Sequence, residues 1–308
     1  MSDQDRQLRL SPSLVWPAVI TVLIGIVYFP VMRELVRDWI RDPNYAHGFV
    51  IPLVSLWFVW RSRQRYANLP RSPSWWGLGG VVIALGIFVF GAAGAEVFTQ
   101  RVSLLLLGAS LVAFLSGWKR LRLVAFPIAF LTLAIPLPYV IYYGLTLPLQ
   151  ALAAKLAVHG LSFLGVPAIV QGNIIHLAGG NSLEVAEACS GIRSLYAFLA
   201  AGALMAYSSR VAWWGRILIL ALAIPLTIAG NAFRVWGSGL GAWLFGMDVT
   251  RGTLHEMFGL LVFVVTLAVF YLLRKVAQSI WLHGTSLPSS SSASRESMPP
   301  SSGMAPPR

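Results

Sequence analysis

Cys189, Arg234 and His255 are the residues of this chain that could share one covalent reaction, although they lie far apart in sequence. Cys189 is the only cysteine, so it has no disulfide partner within the chain and cannot build a multi-thiolate metal site. A thiol becomes a nucleophile when a nearby cation or a helix N-terminus favours the thiolate. Cys189 stands in the stretch EACSGIRSL, at the start of an apolar run that reads as a helix. Arg193, four residues on, is expected to share its helix face. His255 is suited to move the proton between thiol and leaving group. Arg234, a permanent fork-shaped cation, is suited to a developing oxyanion, and Asn231 is placed to orient it or to donate beside it. Glu187 and Glu256 are candidates for supporting carboxylates.

Each residue also has a plainer role. A lone cysteine is usually a small apolar filler. An arginine at a helix end usually extends to the headgroups, and an interfacial histidine is usually just solvated. Ser190 competes with its neighbour as a nucleophile of the intramembrane serine protease kind, but a helix N-cap is its commoner use. Thiolate forms more readily than alkoxide, which favours Cys189.

The elements that must position these groups are membrane helices. Of the 308 residues, 57% are hydrophobic and only 11% charged, with a mean hydropathy of +0.72. Soluble domains carry about 25% charged residues, so the composition indicates an integral membrane protein. The net charge of +12 therefore reads as orientation and headgroup contact, not as nucleic-acid binding. No metal site and no cofactor motif is expected.

The expected fold is an all-α polytopic bundle of about eight spans, near 14–32, 47–60, 77–98, 103–117, 124–144, 190–208, 215–236 and 255–273. The apolar, partly amphipathic stretch 145–166 is left without a defined place. Residues 169–186 alternate apolar and polar around Gly179, Gly180 and Asn181, which predicts a β-hairpin leading into the helix of Cys189. Residues 1–13 are expected to be a cytoplasmic N-terminus, 14–275 the transmembrane domain, and the Ser/Pro-rich 286–308 a cytoplasmic tail unable to form a core.

Arginine and lysine concentrate in alternate loops: Arg61, Arg63, Arg65 and Arg71, then Lys119, Arg120 and Arg122, then Arg210 and Arg216, then Arg274 and Lys275. The positive-inside rule places these loops in the cytoplasm, with both termini. His47, Glu184, Glu187, Asp248 and Glu256 then face outward, and alternation of spans brings the starts of the sixth and eighth to the end of the seventh. Cys189, Arg234 and His255 meet there, at the periplasmic face. His47 is expected to cap the second span more readily than to line a substrate path.

At these residues the sequence resembles the exosortase/archaeosortase family. The matching stretches are EACSGIRSL (187–195), NAFRV (231–235) and TLHEMFG (253–259), with DPNYAHGFVIPLVSLWFVWRSR (42–63) and FLTLAIPLP (130–138) before them. The resemblance implies a cysteine transpeptidase or protease of the inner membrane. Its expected partners are exported proteins that end in a Pro-Glu-Pro-like sorting motif, a spanning helix and a basic tail. It implies the catalytic set Cys189, Arg234 and His255. Two other classes stand beside it: a transporter or assembly component for exported polysaccharide, and a serine protease using Ser190.

Overall fold

A computed structural model of the chain describes residues 12–185, 191–250 and 252–284. The tail 286–308, and nearly all of residues 1–13, therefore lie outside the described residues. The order is α1 (Pro12–Arg41), α2 (Val50–Arg61), α3 (Arg63–Asn68), α4 (Trp75–Ala93), α5 (Val97–Ser116), α6 (Trp118–Phe130) and α7 (Tyr139–Phe163). Strands β1 (Ala168–Gln171), β2 (Ile174–Leu177) and β3 (Ser182–Glu184) follow, then α8 (Ile192–Ser208), α9 (Trp213–Phe245) and α10 (Gly252–Gly284). Six of the described helices are long and apolar enough to cross a membrane. Their outward residues, such as Ile26, Phe90 and Val264, are exposed and apolar, as a lipid-facing surface requires.

These six are α1, α4, α5, α7, α9 and α10, and the shorter α2, α6 and α8 stand among them. The two shortest are lengthened at the same end by 3-10 segments, Pro43–Phe49 before α2 and Leu131–Ala134 after α6. Tertiary hydrogen bonds hold these additions. Trp39 Nε1 donates to the Ala134 carbonyl (2.8 Å), and His47 Nε2 donates to that of Leu133 (3.1 Å). At the opposite end Arg120 donates to the Leu69 carbonyl, and Arg274 Nε to Ser209 Oγ.

The span expected over 124–144 does not continue. Pro136 and Pro138 interrupt the helix, because each lacks an N–H and forces its predecessor out of helical geometry. The chain restarts as α7, which answers for the unplaced 145–166 stretch. The Tyr142 hydroxyl accepts from Asn44 Nδ2 (3.0 Å) before α2, while Leu161 packs on Gly239 near the C-terminus of α9. Both partners lie at one end of the bundle, called here the site end, so α7 lies along that end.

The expected hairpin is a three-stranded antiparallel meander. Gln171 pairs with Ile174 across a tight turn at Gly172–Asn173, and His176 pairs with Ser182. The alternation had marked only the second turn. The seventh span is also longer than expected: α9 does not stop at 236 but extends to Phe245. Its 33 residues make about 50 Å of helix, against a hydrocarbon core of about 30 Å. The surplus carries Val235 and Ala242 into a core with Ala154, Leu161, Ile175 and Val185, joining α7, the sheet and α9.

Candidate functional site

Arg234 and His255 face each other from α9 and α10. Arg234 Nη2 lies 3.3 Å from His255 Nε2, and Ser238 Oγ lies 3.3 Å from His255 Nδ1. The guanidinium can only donate, so Nε2 accepts and the proton of the neutral ring is on Nδ1. Ser238 in turn donates to the Arg234 carbonyl (3.0 Å), one turn back on the same helix. Ser238 was not singled out in the sequence. Its signal was the i, i+4 spacing from Arg234, which puts both on one face of α9.

Gly259, one turn beyond His255 within TLHEMFG, makes room for this pair. A Cβ there would stand 2.7 Å from Arg234 Cζ, so the missing side chain lets the guanidinium lie against α10. Asn231, one turn before Arg234, points to the start of α8. Gly191 has a φ of +83° and its hypothetical Cβ would stand 3.0 Å from Asn231 Cγ. Both the left-handed backbone and the close approach call for glycine there. A cleft of about 20 Å³, the size of one water, lies between Ser194, Asn231, Arg234 and Gly259.

Cys189, Ser190 and Glu187 lie outside the described residues. The expectations that depend on them lie outside the described residues too. α8 begins at Ile192, behind Gly191 with its left-handed backbone. Arg193 donates from Nε to Asn44 Oδ1 (3.2 Å), and Asn44 is bonded to Tyr142.

The remaining candidates separate from the pair. His47 is packed beside Tyr196, with ring centroids 5.2 Å apart, and bonds Leu133. It serves as a structural bridge between the two 3-10 segments. Glu256 is exposed. His159 and His176 bond locally, to the Lys155 carbonyl and Ser182 Oγ. Among the described residues no group of three or more His, Cys, Asp or Glu is arranged to hold a metal ion.

The fold and the site define a class: a polytopic helical membrane protein with an arginine–histidine pair at one end of the bundle. Residues 39–272 match the transmembrane exosortase family. The chain belongs to that family, which spans all the elements just described from the end of α1 into α10. No curated protein and no solved structure matches it significantly.

Proposed function

We propose that this chain is a membrane-embedded cysteine transpeptidase or protease. It cleaves exported proteins near a C-terminal sorting signal composed of a recognition motif, a spanning helix and a basic tail. The observation that carries this reading is the Arg234–His255 contact beside the packing of Asn231 on Gly191. Two peptide links separate Gly191 from Cys189, a reach of at most about 7 Å.

The Cys189 thiolate attacks the scissile carbonyl, and Arg234 with Asn231 stabilises the oxyanion. His255 takes the thiol proton through Nε2 and returns it to the leaving amine. Before it can do so Nε2 must exchange its contact with Arg234, which then turns toward the oxyanion. The thioacyl group is released by water or by an acceptor amine or hydroxyl. A substrate held by its own C-terminal helix presents its cleavage segment at the membrane surface, the level this reading gives to Arg234 and His255.

The test is co-expression with a tagged protein bearing such a signal, with processing followed on gels. Cys189→Ala and His255→Ala are expected to abolish processing, and Arg234→Lys to slow it by about 10²–10³-fold, the usual loss of an oxyanion donor. All three should remain in the membrane at normal abundance. Unchanged processing in Cys189→Ala would sink the proposal, and loss in Ser190→Ala alone would transfer the nucleophile to Ser190.

A further inference from the structure

The meander leaves β3 at its edge, with no further strand beyond it among the described residues. Which backbone groups that edge presents follows from the pairing with β2. The Val185 N–H donates to the Asn173 carbonyl (2.9 Å), and the Leu177 N–H to the Asn181 carbonyl (2.8 Å). In an antiparallel pair, bonded and unbonded positions alternate. Asn181, Leu183 and Val185 therefore turn their backbone groups to β2. Ser182 and Glu184 turn theirs, an N–H and a C=O each, to the open side, and both residues are exposed.

The strand is held firmly behind that edge. His176 Nδ1 and Ser182 Oγ lie 2.8 Å apart across β2 and β3, and Asn173 Nδ2 donates to the Val185 carbonyl (3.3 Å). Leu183 packs on the core that buries Val185. The same core holds Val235, the residue after Arg234, so the end of β3 is fixed beside the part of α9 that carries Arg234. The sheet's other edge strand, β1, lies against α7. From β3 the chain runs on to Cys189, five residues beyond Glu184 and at most about 18 Å away.

A row of unpaired N–H and C=O groups is a template for an extended chain, whose main chain supplies affinity and whose alternate side chains supply specificity. On the reading above, the chain that must come within reach of Cys189 is the substrate's cleavage segment. Pairing with the edge would serve the reaction twice. It draws the segment out of helical hydrogen bonding, which frees the scissile carbonyl, and it holds the acyl half after the leaving amine has gone.

We propose that β3 is the substrate-docking edge. Residues on the N-terminal side of the scissile bond add to it as a fourth strand, parallel to β3 because both chains then run toward Cys189. This assignment rests on the function proposed above. The test is disulfide crosslinking in membranes. The Cys189→Ala chain, which has no other thiol, carries Glu184→Cys, and the tagged substrate carries single cysteines walked through both sides of its cleavage site. Crosslinks are expected at every second position on the N-terminal side, because successive side chains of a strand point to opposite faces. Leu183→Cys, which faces the core, should give none. In the chain that keeps Cys189, Glu184→Pro removes an outward N–H that β2 does not use. It should slow processing about tenfold more than Glu184→Ala does, a net hydrogen bond's worth, at normal membrane abundance.

Crosslinks without alternation, crosslinks only beyond the cleavage site, or equal rates in the proline and alanine variants overturn the proposal. A disulfide between two copies of Glu184→Cys that substrate does not diminish gives the edge to a second copy and overturns it too. The crosslink is read without Cys189, so the two readings fail separately. Its absence beside normal processing by the native chain strikes the docking edge alone, whereas processing that survives Cys189→Ala strikes the nucleophile alone.

Discussion

Ser238 fixes which nitrogen of His255 is basic. Its contact with Nδ1 holds the proton there, and its own hydroxyl is held by the Arg234 carbonyl. Removing it takes the acceptor from Nδ1–H and weakens the hold on the ring's orientation and tautomer, while a small side chain on α9 is lost without a large cavity. Ser238→Ala is therefore expected to reduce processing about tenfold, a net hydrogen-bond's worth, with normal membrane abundance. Ser238→Thr should restore most of the rate because it returns the hydroxyl. A rate unchanged in the alanine variant, or no rescue by threonine, removes Ser238 from the site. The pairing of Arg234 with His255 was legible in the sequence, because alternating spans bring the ends of α9 and α10 together whatever their side chains do. The partner of Arg193 was not. The described part of α8 begins at Ile192, behind the positive φ of Gly191, and turns Arg193 toward Asn44. Asn44 lies 149 residues away, a contact no local spacing announces.

At the scale of elements, helix ends do most of the positioning, and their signals were legible to different degrees. The Pro136–Pro138 break was visible in FLTLAIPLP, yet the apolar run through it reads as one span on hydropathy alone. The end of α9 was hidden because the residues after 236 bury against α7 and the sheet, and remain as apolar as those inside the bundle. Glu96 is a cap whose effect can be measured. Burial alone would raise its pKa, but the hydrogen bonds from Thr99 and Phe98 outweigh it and hold the pKa below its ordinary value of 4.5. The sign follows from linkage. A carboxyl with a depressed folded pKa contributes fully above its ordinary pKa and loses that contribution as pH falls through the folded value. Melting of the purified protein should therefore weaken as pH falls below the ordinary carboxyl value of 4.5, with a smaller fall in Glu96→Gln, which cannot titrate. At neutral pH Glu96→Ala should cost about 1 kcal/mol, the usual worth of a cap. An identical acid profile in Glu96→Gln would show that α5 does not depend on the charge.

At the scale of the whole molecule, the described carboxylates gather at one end, interleaved there with basic residues, while the other end is purely basic. Glu34, Asp38, Asp42, Glu96, Glu184 and Glu256 all stand on the site end. The opposite end carries Arg61, Arg63, Arg65, Arg71, Lys119, Arg120, Arg122, Arg210, Arg216, Arg274 and Lys275, with no carboxylate among its described residues. Loops rich in Lys and Arg are retained in the cytoplasm, and on that rule we propose that the bundle stands with Arg234 and His255 outward. The same orientation is what a protein acting on exported chains requires. Cysteine labelling in intact cells measures it directly. In a Cys189→Ala background the chain has no thiol, so an introduced one is the only target. Asn181→Cys, in the turn between β2 and β3, is expected to react with a membrane-impermeant maleimide in cells whose outer membrane alone is opened. Ser72→Cys, between α3 and α4, should react only after the inner membrane is also opened. Both positions are exposed, so access and not burial decides the outcome. Labelling in the reverse order would turn the bundle over, and an exported substrate could not reach Arg234 and His255 from outside.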